Sequence, residues 1–506
     1  MTTMPLVLER ARLWGHTSIR SDRLVDVVIS GGRVASVAPS GSHSAPRVPG
    51  AQSLDLDGRW LMPGLVDHHV HFTLWSKHRN RLSIAGLGSA TEVVRAVGQA
   101  LAGMDGASGP TSRPLVARGF QDALWPDVPT AEALDAEAER VGQRGRTIVL
   151  ISHDLHSVWI NGAAATRYGA APGLLREQAA FDVEMALEAE EAADTRAVEA
   201  HVADAVVAAA SRGVTGILDL EMADNTAAWS ARAASGLPHL RVQAGVYPQH
   251  LDESLARGDR TGKRVDGTGG LITVGPLKVF ADGSLNTRTA WCFDAYPETH
   301  NFGHAVHPSG ELARTLADAR DHGFEVALHA IGDRAVSEAL DAFEQSRARG
   351  SIEHAQLVRD QDVPRFAALG VAAGIHPEHA LDDREVADAL WAGRTGRAFP
   401  LAALAAAGAE LRMGSDAPVA PLDPWVSVSA AVYRTRDEQS PWEQSNALTM
   451  EQALRATWAF PAVTEGAPGD LIAVDFDPGV VAPAALRVMP VALTVVAGVV
   501  THNAVV

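Results

Sequence analysis

The chain has 506 residues, of which 46% are hydrophobic and 21% are charged, a composition that is typical of folded proteins and argues against a disordered one. The length allows a (β/α)8 barrel with additional modules. The net charge of −18 argues against binding to nucleic acid or to an anionic membrane surface. The single cysteine, Cys292, excludes an internal disulfide and a thiolate cluster for a metal.

The amino-terminal segment lacks the pattern of a signal peptide. Residues 1–14 read MTTMPLVLERARLW, and charged residues interrupt the apolar ones. No stretch approaches the about 20 apolar residues of a membrane span. We therefore expect a cytoplasmic protein that acts on a small molecule and binds neither nucleic acid nor membrane. The oligomeric state is left open, with a homodimer among the options because dimers are common symmetric assemblies.

Both ends of the chain carry short apolar runs of the β type. Residues 25–29 and 33–37 flank Gly31 and Gly32, a pair that is typical of a tight hairpin turn. Similar runs at residues 470–474 and 492–498 lie near the carboxyl terminus. We predict a small β-sandwich built from residues 1–60 and 465–506.

Between these ends, residues 61–464 alternate apolar strands with alanine-rich helices, which is the pattern of parallel βαβ units. The candidate strands end at or near His71, Asp154, Asp219, Tyr247, Phe280, His329, His354, His376 and Asp416. These are nine, and a (β/α)8 barrel needs eight. We assign the strand at residues 147–151 to an inserted cap segment, at about residues 76–205. The predicted fold class is α/β, a TIM-type barrel with the terminal sandwich and this insertion.

The insertion contains an acidic run at residues 184–194. We expect this run to form a solvated helix face rather than a cation site.

Residues that can bind a metal stand where the predicted barrel strands stop. His69 and His71 are two residues apart on the first strand, so they point to the same side. Later strands end with the following residues of the same kind: Lys278, His329, His354 and Asp416. The carboxyl ends of barrel strands meet on one face, where active sites lie. Packing alone hardly explains this set, which predicts a metal site built from imidazole and carboxylate groups.

The segments around these residues resemble the amidohydrolase superfamily. They read P-G-L-V-D-H-H-V-H, K-V-F-A-D-G-S-L, H-A-I-G-D-R-A-V, I-E-H-A-Q and G-S-D-A-P-V in chain order. They are most similar to the amidohydrolase 3 branch, which includes YtcJ-like proteins and N-substituted formamide deformylases. The resemblance extends over nearly the whole chain, including both halves of the terminal sandwich.

The resemblance implies one or two divalent metal ions. It assigns His69, His71 and Asp416 to one ion, and His329 and His354 to a second. We expect zinc first, because these ligand types suit it.

The resemblance also implies that Lys278 is carboxylated on N6 and bridges the two metals. Burial disfavours the charged ammonium, and a neutral amine can form a carbamate. The alternative is an ion pair of Lys278 with Asp282 or another carboxylate.

The activity that the resemblance implies is hydrolysis of a non-peptide C–N bond, in an amide, formamide or cyclic amide, by attack of metal-bound hydroxide. Asp416 would be the catalytic base, or alternatively only a ligand. A lactonase, esterase or deaminase on the same scaffold is the alternative reaction. A non-catalytic scaffold is more distant, because relatives of that kind lose ligands and all six are present here.

Candidate substrate-binding residues lie on the loops that follow the strands: His156, Asp282, Ser284, Arg288 and His379. His156 lies in a segment that resembles the branch's D-G-H-S-x-W-x-N stretch, with Leu155 where glycine is usual, and could instead belong to an internally satisfied turn. Arg288 could pair with a substrate carboxylate or form a structural ion pair. His379 keeps its place in the branch's Gln-Pro-x-His motif, but His376 stands where glutamine is usual.

Overall fold

The computed structural model describes residues 4–15, 23–41, 50–79, 81–104, 114–192, 194–236, 239–308, 310–436 and 439–505. The chain begins with strands β1 (Leu6–Leu13), β2 (Val25–Ser30), β3 (Arg33–Pro39), β4 (Gln52–Asp55) and β5 (Trp60–Pro63). Strands β2 and β3 form the predicted hairpin. Gly31 and Gly32 have φ of 59° and 75°, which are the left-handed conformations that this two-residue turn requires.

The first barrel strand, β6 (Leu65–Val70), and helix α1 (Phe72–His78) precede the insertion. Its elements are β7 (Leu82–Ser83), β8 (Leu115–Phe120), β9 (Ile148–Ser152), β10 (Ser157–Ile160), β11 (Gly173–Arg176), α2 (Ala90–Ala102), α3 (Ala131–Arg140), α4 (Gly162–Tyr168) and α5 (Gln178–Ala192). The five strands form one sheet in the order β11-β10-β9-β8-β7. The sequence therefore identified only the middle strand of a folded α/β layer.

The sheet of the insertion is buried on both faces. Along β9, Ile148 and Leu150 belong to one hydrophobic cluster, and Val149 and Ile151 belong to another. This division follows from the two-residue period of a strand.

Seven further barrel strands follow in the described chain. They are β12 (Val214–Asp219), β13 (Arg241–Val246), β14 (Ile272–Phe280), β15 (Val326–Ala330), β16 (Gly350–His354), β17 (Ala372–Ile375) and β18 (Leu411–Met413). With β6 they form a parallel eight-stranded sheet in chain order. The last strand returns to the first, since Asp416 N donates to His69 O at 2.8 Å and His71 N donates to Ala417 O at 2.8 Å. The predicted barrel is confirmed.

Helices cover the outside of the barrel and fill its loops. They are α6 (Thr195–Ser211), α7 (Asn225–Ala234), α8 (Leu251–Ala256), α9 (Glu311–Asp321), α10 (Asp333–Ser346), α11 (Val363–Leu369), α12 (His379–Asp382), α13 (Arg384–Leu390), α14 (Leu401–Ala406), α15 (Pro424–Tyr433) and α16 (Met450–Arg455), with short 3-10 turns at Pro248–His250, Thr395–Arg397 and Gln444–Asn446. Among the helices of the described ranges, none combines the length and the apolar character needed to cross a lipid bilayer.

The chain ends with β19 (Leu471–Val474), α17 (Pro483–Arg487), β20 (Val491–Val496) and β21 (Val499–Asn503). These strands join the amino-terminal ones in the order β21-β20-β19-β5-β1-β2-β3. A bulge in β1, where Arg10 has a φ of 55°, separates the half that pairs with β2 and β4 from the half that pairs with β5. Both termini thus contribute to one β unit with a shared core. The predicted domain limits stay a prediction.

Gly275 provides a test of the barrel packing. A Cβ at this position in β14 would lie 2.8 Å from Gly245 N and 2.9 Å from the carbonyl carbon of Ala244. We expect Gly275→Ala to lower the free energy of unfolding by about 1–3 kcal/mol, because backbone atoms must move apart. Gly103→Ala is the control, since its nearest neighbour would be 3.6 Å away. Equal denaturant midpoints for the two variants would contradict this packing.

Candidate active site

The predicted ligands meet at one end of the barrel. His69 is in β6, Lys278 in β14, His329 in β15, His354 ends β16, and Asp416 follows β18. All five line a single cavity of about 830 Å³. The strand register brings them together because the carboxyl ends of parallel barrel strands share one face.

His69 and His71 converge on the carboxylate of Asp416. Their Nε2 atoms lie 3.4 Å and 3.3 Å from the same oxygen, Asp416 Oδ1. The three side chains offer ligand atoms close enough together to hold one metal ion. The structure therefore brings together the three side chains that the family resemblance assigns to one ion, and the assignment itself stays a prediction.

A buried carboxylate orients His69. Its Nδ1 lies 2.7 Å from Glu353 Oε2, and the other oxygen of Glu353 accepts a hydrogen bond from Ser351 Oγ. A proton on Nδ1 leaves the lone pair on Nε2, the nitrogen that faces Asp416. Metal-binding histidines are commonly oriented in this way by a carboxylate. Sequence reasoning missed Glu353, although a glutamate within the short buried strand Gly350–His354 was the signal.

Lys278 is buried beside His69, with its Nζ 3.2 Å from His69 Nε2. Burial lowers the pKa of Lys278 to about 8, so part of the population carries a neutral amine at neutral to mildly basic pH. Asp282 does not pair with Lys278. It accepts three backbone hydrogen bonds instead, from Ile331 N at 3.0 Å, and from Gly332 N and Trp291 N at 2.8 Å each. The alternative of a Lys278–Asp282 ion pair is therefore wrong.

His329 and His354 stand beside each other, with ring centroids 4.4 Å apart. His329 Nε2 lies 3.1 Å from Gly283 O, and donation to that carbonyl leaves the lone pair on Nδ1. His354 Nε2 lies 4.0 Å from Asp416 Oδ2, while its Nδ1 is buried without a partner in the described chain. The backbone of His354 has a φ of 72°, the kind of strain that is concentrated at functional sites.

Two further histidines reach the same cluster. His379 Nε2 lies 3.9 Å from Asp416 Oδ2. His376 Nδ1 lies 2.9 Å from Gly414 O, and both His376 Nε2 and His379 Nε2 are buried without a partner in the described part of the chain. Each joins a group that could hold a metal, His376 with His69 and His354, and His379 with His354 and Asp416. His376 was not predicted as a ligand.

These unpartnered nitrogens fit a metal. Burial of a polar atom without a hydrogen bond is costly, and a bound cation would supply the missing partner. Burial also lowers the pKa of His69 to about 3, and it lowers that of His329 and His354 well below the ordinary value. The imidazoles of His69, His329 and His354 are therefore neutral, as metal binding requires. For His71, burial acts to lower the pKa, but Asp416 raises it. Burial acts to raise the pKa of Asp416, but His69 and His71 hold it well below the ordinary value.

The inserted segment closes over the site through His156. Its Nδ1 lies 2.9 Å from Glu177 Oε2, and its ring stands 5.4 Å from that of Phe181 and 6.2 Å from that of His329. His156 thus bonds to Glu177 within the insertion and also lines the cavity at the barrel end.

The loop after β14 is bound to the insertion. Ser284 Oγ donates to Asp154 Oδ2 at 2.8 Å, and Thr287 Oγ1 donates to Glu177 Oε1 at 2.6 Å. Ser284 and Asp282 line the cavity, whereas Arg288 of the same loop lies outside its lining. The structure thus does not bring Arg288 to the other predicted substrate residues.

The acidic run of the insertion differs from its expected solvated state. Glu184 is only 7% exposed, and both Glu184 and Glu188 line the cavity. The expectation was wrong for Glu184 because this face of α5 lines the cavity, which residue-by-residue polarity cannot reveal.

A barrel whose strand ends gather histidines, a lysine and an aspartate in this order is the architecture of amidohydrolase-type enzymes. A sequence model of the Amidohydrolase family matches residues 52–502. The chain belongs to this family, and the resemblance recognised in its motifs is confirmed.

Individual relatives are similar over nearly their full length. The chain is 25% identical to YtcJ of Bacillus subtilis, which is named as an amidohydrolase, over 90% of this chain and 91% of YtcJ. It is 25% identical to the N-substituted formamide deformylase of Arthrobacter pascens over 94% of each chain. A solved structure, an uncharacterized metal-dependent hydrolase from Pyrococcus horikoshii, has a TM-score of 0.75 at 24% identity, over 95% of this chain and 99% of that one.

Glu353 offers a test of the way His69 is oriented. We expect Glu353→Gln to weaken zinc binding by about 10–100-fold, because the neutral amide orients the imidazole less strongly. Zinc affinity is measured by competition with a chromophoric chelator. Glu410→Gln, at an exposed carboxylate, is the control. Equal zinc affinity in both variants would contradict the role of Glu353.

The His156–Glu177 pair predicts a pH dependence of stability. Burial acts to raise the pKa of Glu177, but bonding to His156 lowers it to about 2. Burial acts to lower the pKa of His156, but Glu177 raises it. The carboxylate contribution is complete above its unfolded pKa of about 4.3 and is lost as pH falls toward 2. The imidazolium contribution is complete below its unfolded pKa of about 6.5 and is lost as pH rises through the raised value.

We therefore expect Glu177→Gln to lower the free energy of unfolding more at about pH 5.5 than at about pH 9. Denaturation of both proteins at the two pH values measures this difference. A loss of equal size at both would show that the pair does not carry linked charges. Glu190→Gln, at an exposed position of α5, is the matched control.

Proposed function

We propose that the protein is a metal-dependent hydrolase that cleaves a non-peptide C–N bond in an amide, formamide or cyclic amide. The observation that carries the proposal is the convergence of neutral, buried imidazoles and an ionised Asp416 at the end of the cavity. The similarity to an N-substituted formamide deformylase over 94% of both chains supports the choice of bond. Its cytoplasmic location and a homodimeric state stay predictions.

The residues that would hold metal follow the proposed assignment. His69 and His71 with Asp416 would hold one divalent ion, zinc first, and His329 and His354 would hold a second. Lys278 would join the two as an N6-carboxylated side chain, which its lowered pKa favours. Bound metal supplies Lewis-acid polarisation of the scissile carbonyl and lowers the pKa of a water molecule.

Asp416 is the proposed proton carrier. Its carboxylate is ionised at neutral pH because its pKa is held low, so it accepts the proton that the attacking water releases. Its Oδ2 atom lies 3.9 Å from His379 Nε2, beyond hydrogen-bond distance, so Asp416 itself would deliver the proton to the leaving nitrogen. Asp282 keeps the adjoining loops in place through its three backbone bonds, so we assign it a positioning role.

The insertion would exclude bulk water. His156 and Phe181 stand over His329 and the strand ends, and the Ser284–Asp154 bond holds the barrel loop to the cap. Exclusion of water strengthens the electrostatic interactions inside the cavity.

A substrate screen tests the reaction class. Zinc-loaded and chelator-treated protein would be assayed against N-formyl amines, N-acyl amino acids, carbamates and lactones. We expect turnover of at least one substrate with a C–N scissile bond, lost on chelation and restored by zinc. Activity that survives complete metal removal, or activity confined to lactones, would contradict the proposal.

Asp416→Asn tests whether Asp416 acts as a general base or only as a metal ligand. We expect turnover to fall by about 10²–10⁴-fold, the usual contribution of a general base, while the zinc content measured by atomic emission stays near that of the parent protein. Asp182→Asn, at an exposed position of α5, controls for loss of a carboxylate. Near-normal turnover in Asp416→Asn would rule out the base role.

A further inference from the structure

The cavity carries an excess of negative side chains. Of the described residues that line it, nine are carboxylates, one is a lysine and none is an arginine. The carboxylates are Asp154, Glu177, Glu184, Glu188, Glu221, Asp282, Asp382, Asp383 and Asp416. A cavity of this kind attracts cations and repels anionic substrates.

Most of these carboxylates have partners inside the protein. Asp154 and Glu177 accept from hydroxyl groups, Asp382 is held by His153 and Arg436, and Asp383 accepts from Gln356. Glu221 accepts from the backbone N–H groups of Leu74 and Met222. Glu184 and Glu188 are different, since neither carboxyl group forms a hydrogen bond or an ion pair within the described ranges.

Glu184 and Glu188 lie on one face of α5. Phe181 lies three and four residues before Glu184 and Met185, and Glu188 lies four and three residues after them, as expected for one side of a helix. All four line the cavity. Glu184 is 7% exposed, and its Oε1 atom is buried without a partner. A buried, unpartnered carboxylate oxygen at a cavity wall is expensive unless something binds it.

The basic side chains near α5 pair with a different glutamate. Lys77 Nζ and Arg81 Nη2 bond Glu191, at 3.4 Å and 2.7 Å, and neither residue lines the cavity. They act to lower the pKa of Glu188, but burial and the charge of Glu221 raise it to about 7. Burial and the charge of Glu188 likewise raise the pKa of Glu184 well above its ordinary value. A cation bound beside Glu184 and Glu188 would favour their ionised forms and so act against these raised pKa values.

We propose that Glu184 and Glu188, with Glu221 beside them, bind a protonated amine carried by the substrate on a part other than the scissile C–N bond. Phe181 and Met185 of the same helix face supply apolar contacts for the carbon chain that joins the two groups. The substrate class is then an amide or formamide with a free ammonium group. The inference rests on the proposed function for the bond that is cleaved, but the ammonium site is formed by α5 and Glu221 and uses none of the proposed metal ligands.

Matched substrates test the inference. Zinc-loaded protein would hydrolyse N-formyl derivatives of straight-chain α,ω-diamines and, as neutral counterparts, N-formyl alkylamines of equal length. We expect kcat/KM to be about 10-fold or more higher for the cationic member of the preferred pair, as a charged hydrogen bond can supply. Glu184→Gln and Glu188→Gln should each reduce that ratio and leave the neutral substrate almost unchanged.

Glu190→Gln is the matched control, because Glu190 is on the same helix and pairs with Arg167 at the surface. The ratio should stay at the parent value in this variant. A parent ratio near one, or a ratio that survives both cavity substitutions, would overturn the inference. If Glu184 is only a buried, protonated acid that binds no ligand, the ratio survives both cavity substitutions.

A binding experiment keeps this result separate from the proposed reaction. If no C–N substrate is turned over, the proposed function fails, and titration calorimetry with pentane-1,5-diamine still decides the ammonium site. Binding that is weakened about 10-fold or more by Glu184→Gln but not by Glu190→Gln supports the site. Absence of binding to the parent protein, or equal binding to both variants, overturns it.

Discussion

Closure of the barrel between its first and last strands is the constraint on which the site depends. Asp416 N donates to His69 O, and His71 N donates to Ala417 O. Ser415 N also donates to Asp67 Oδ1, a carboxylate 348 residues away in the chain. These bonds fix the carboxylate of Asp416 against the imidazoles of His69 and His71.

The closure also explains two unusual backbone features. Asp416 has a φ of 56°, a strained conformation that costs of the order of 1–3 kcal/mol and persists where the surroundings enforce it. Gly414 has no side chain because a Cβ there would lie 2.6 Å from His69 Cβ. The strand ends are therefore shaped around His69, the histidine that Glu353 orients from below.

Burial then decides the chemistry of the cluster. The same desolvation that keeps His69, His329 and His354 neutral also favours a neutral amine on Lys278. Metal ions need unprotonated ligands, and a carbamate can form only on an unprotonated amine. The insertion extends this burial to the opposite wall, where α5 places Glu184 beside the cavity with no internal partner. One cavity thus combines neutral nitrogen ligands at the barrel end with two carboxyl groups of α5, Glu184 and Glu188, on its opposite side.

The sequence by itself predicted the barrel and the side chains that gather at its strand ends. Apolar strands that stop at or near His71, Phe280, His329 and Asp416 are local patterns, and parallel barrel topology places all strand ends together. Tertiary structure decided what depends on partners distant in the chain. Glu353 of β16 orients His69 of β6 although these two strands do not pair, His376 reaches the cluster, and Arg288 lies outside the cavity lining. The sequence predicted a solvated acidic face for α5. The polarity of one helix cannot reveal that this face lines a cavity opposite the barrel end.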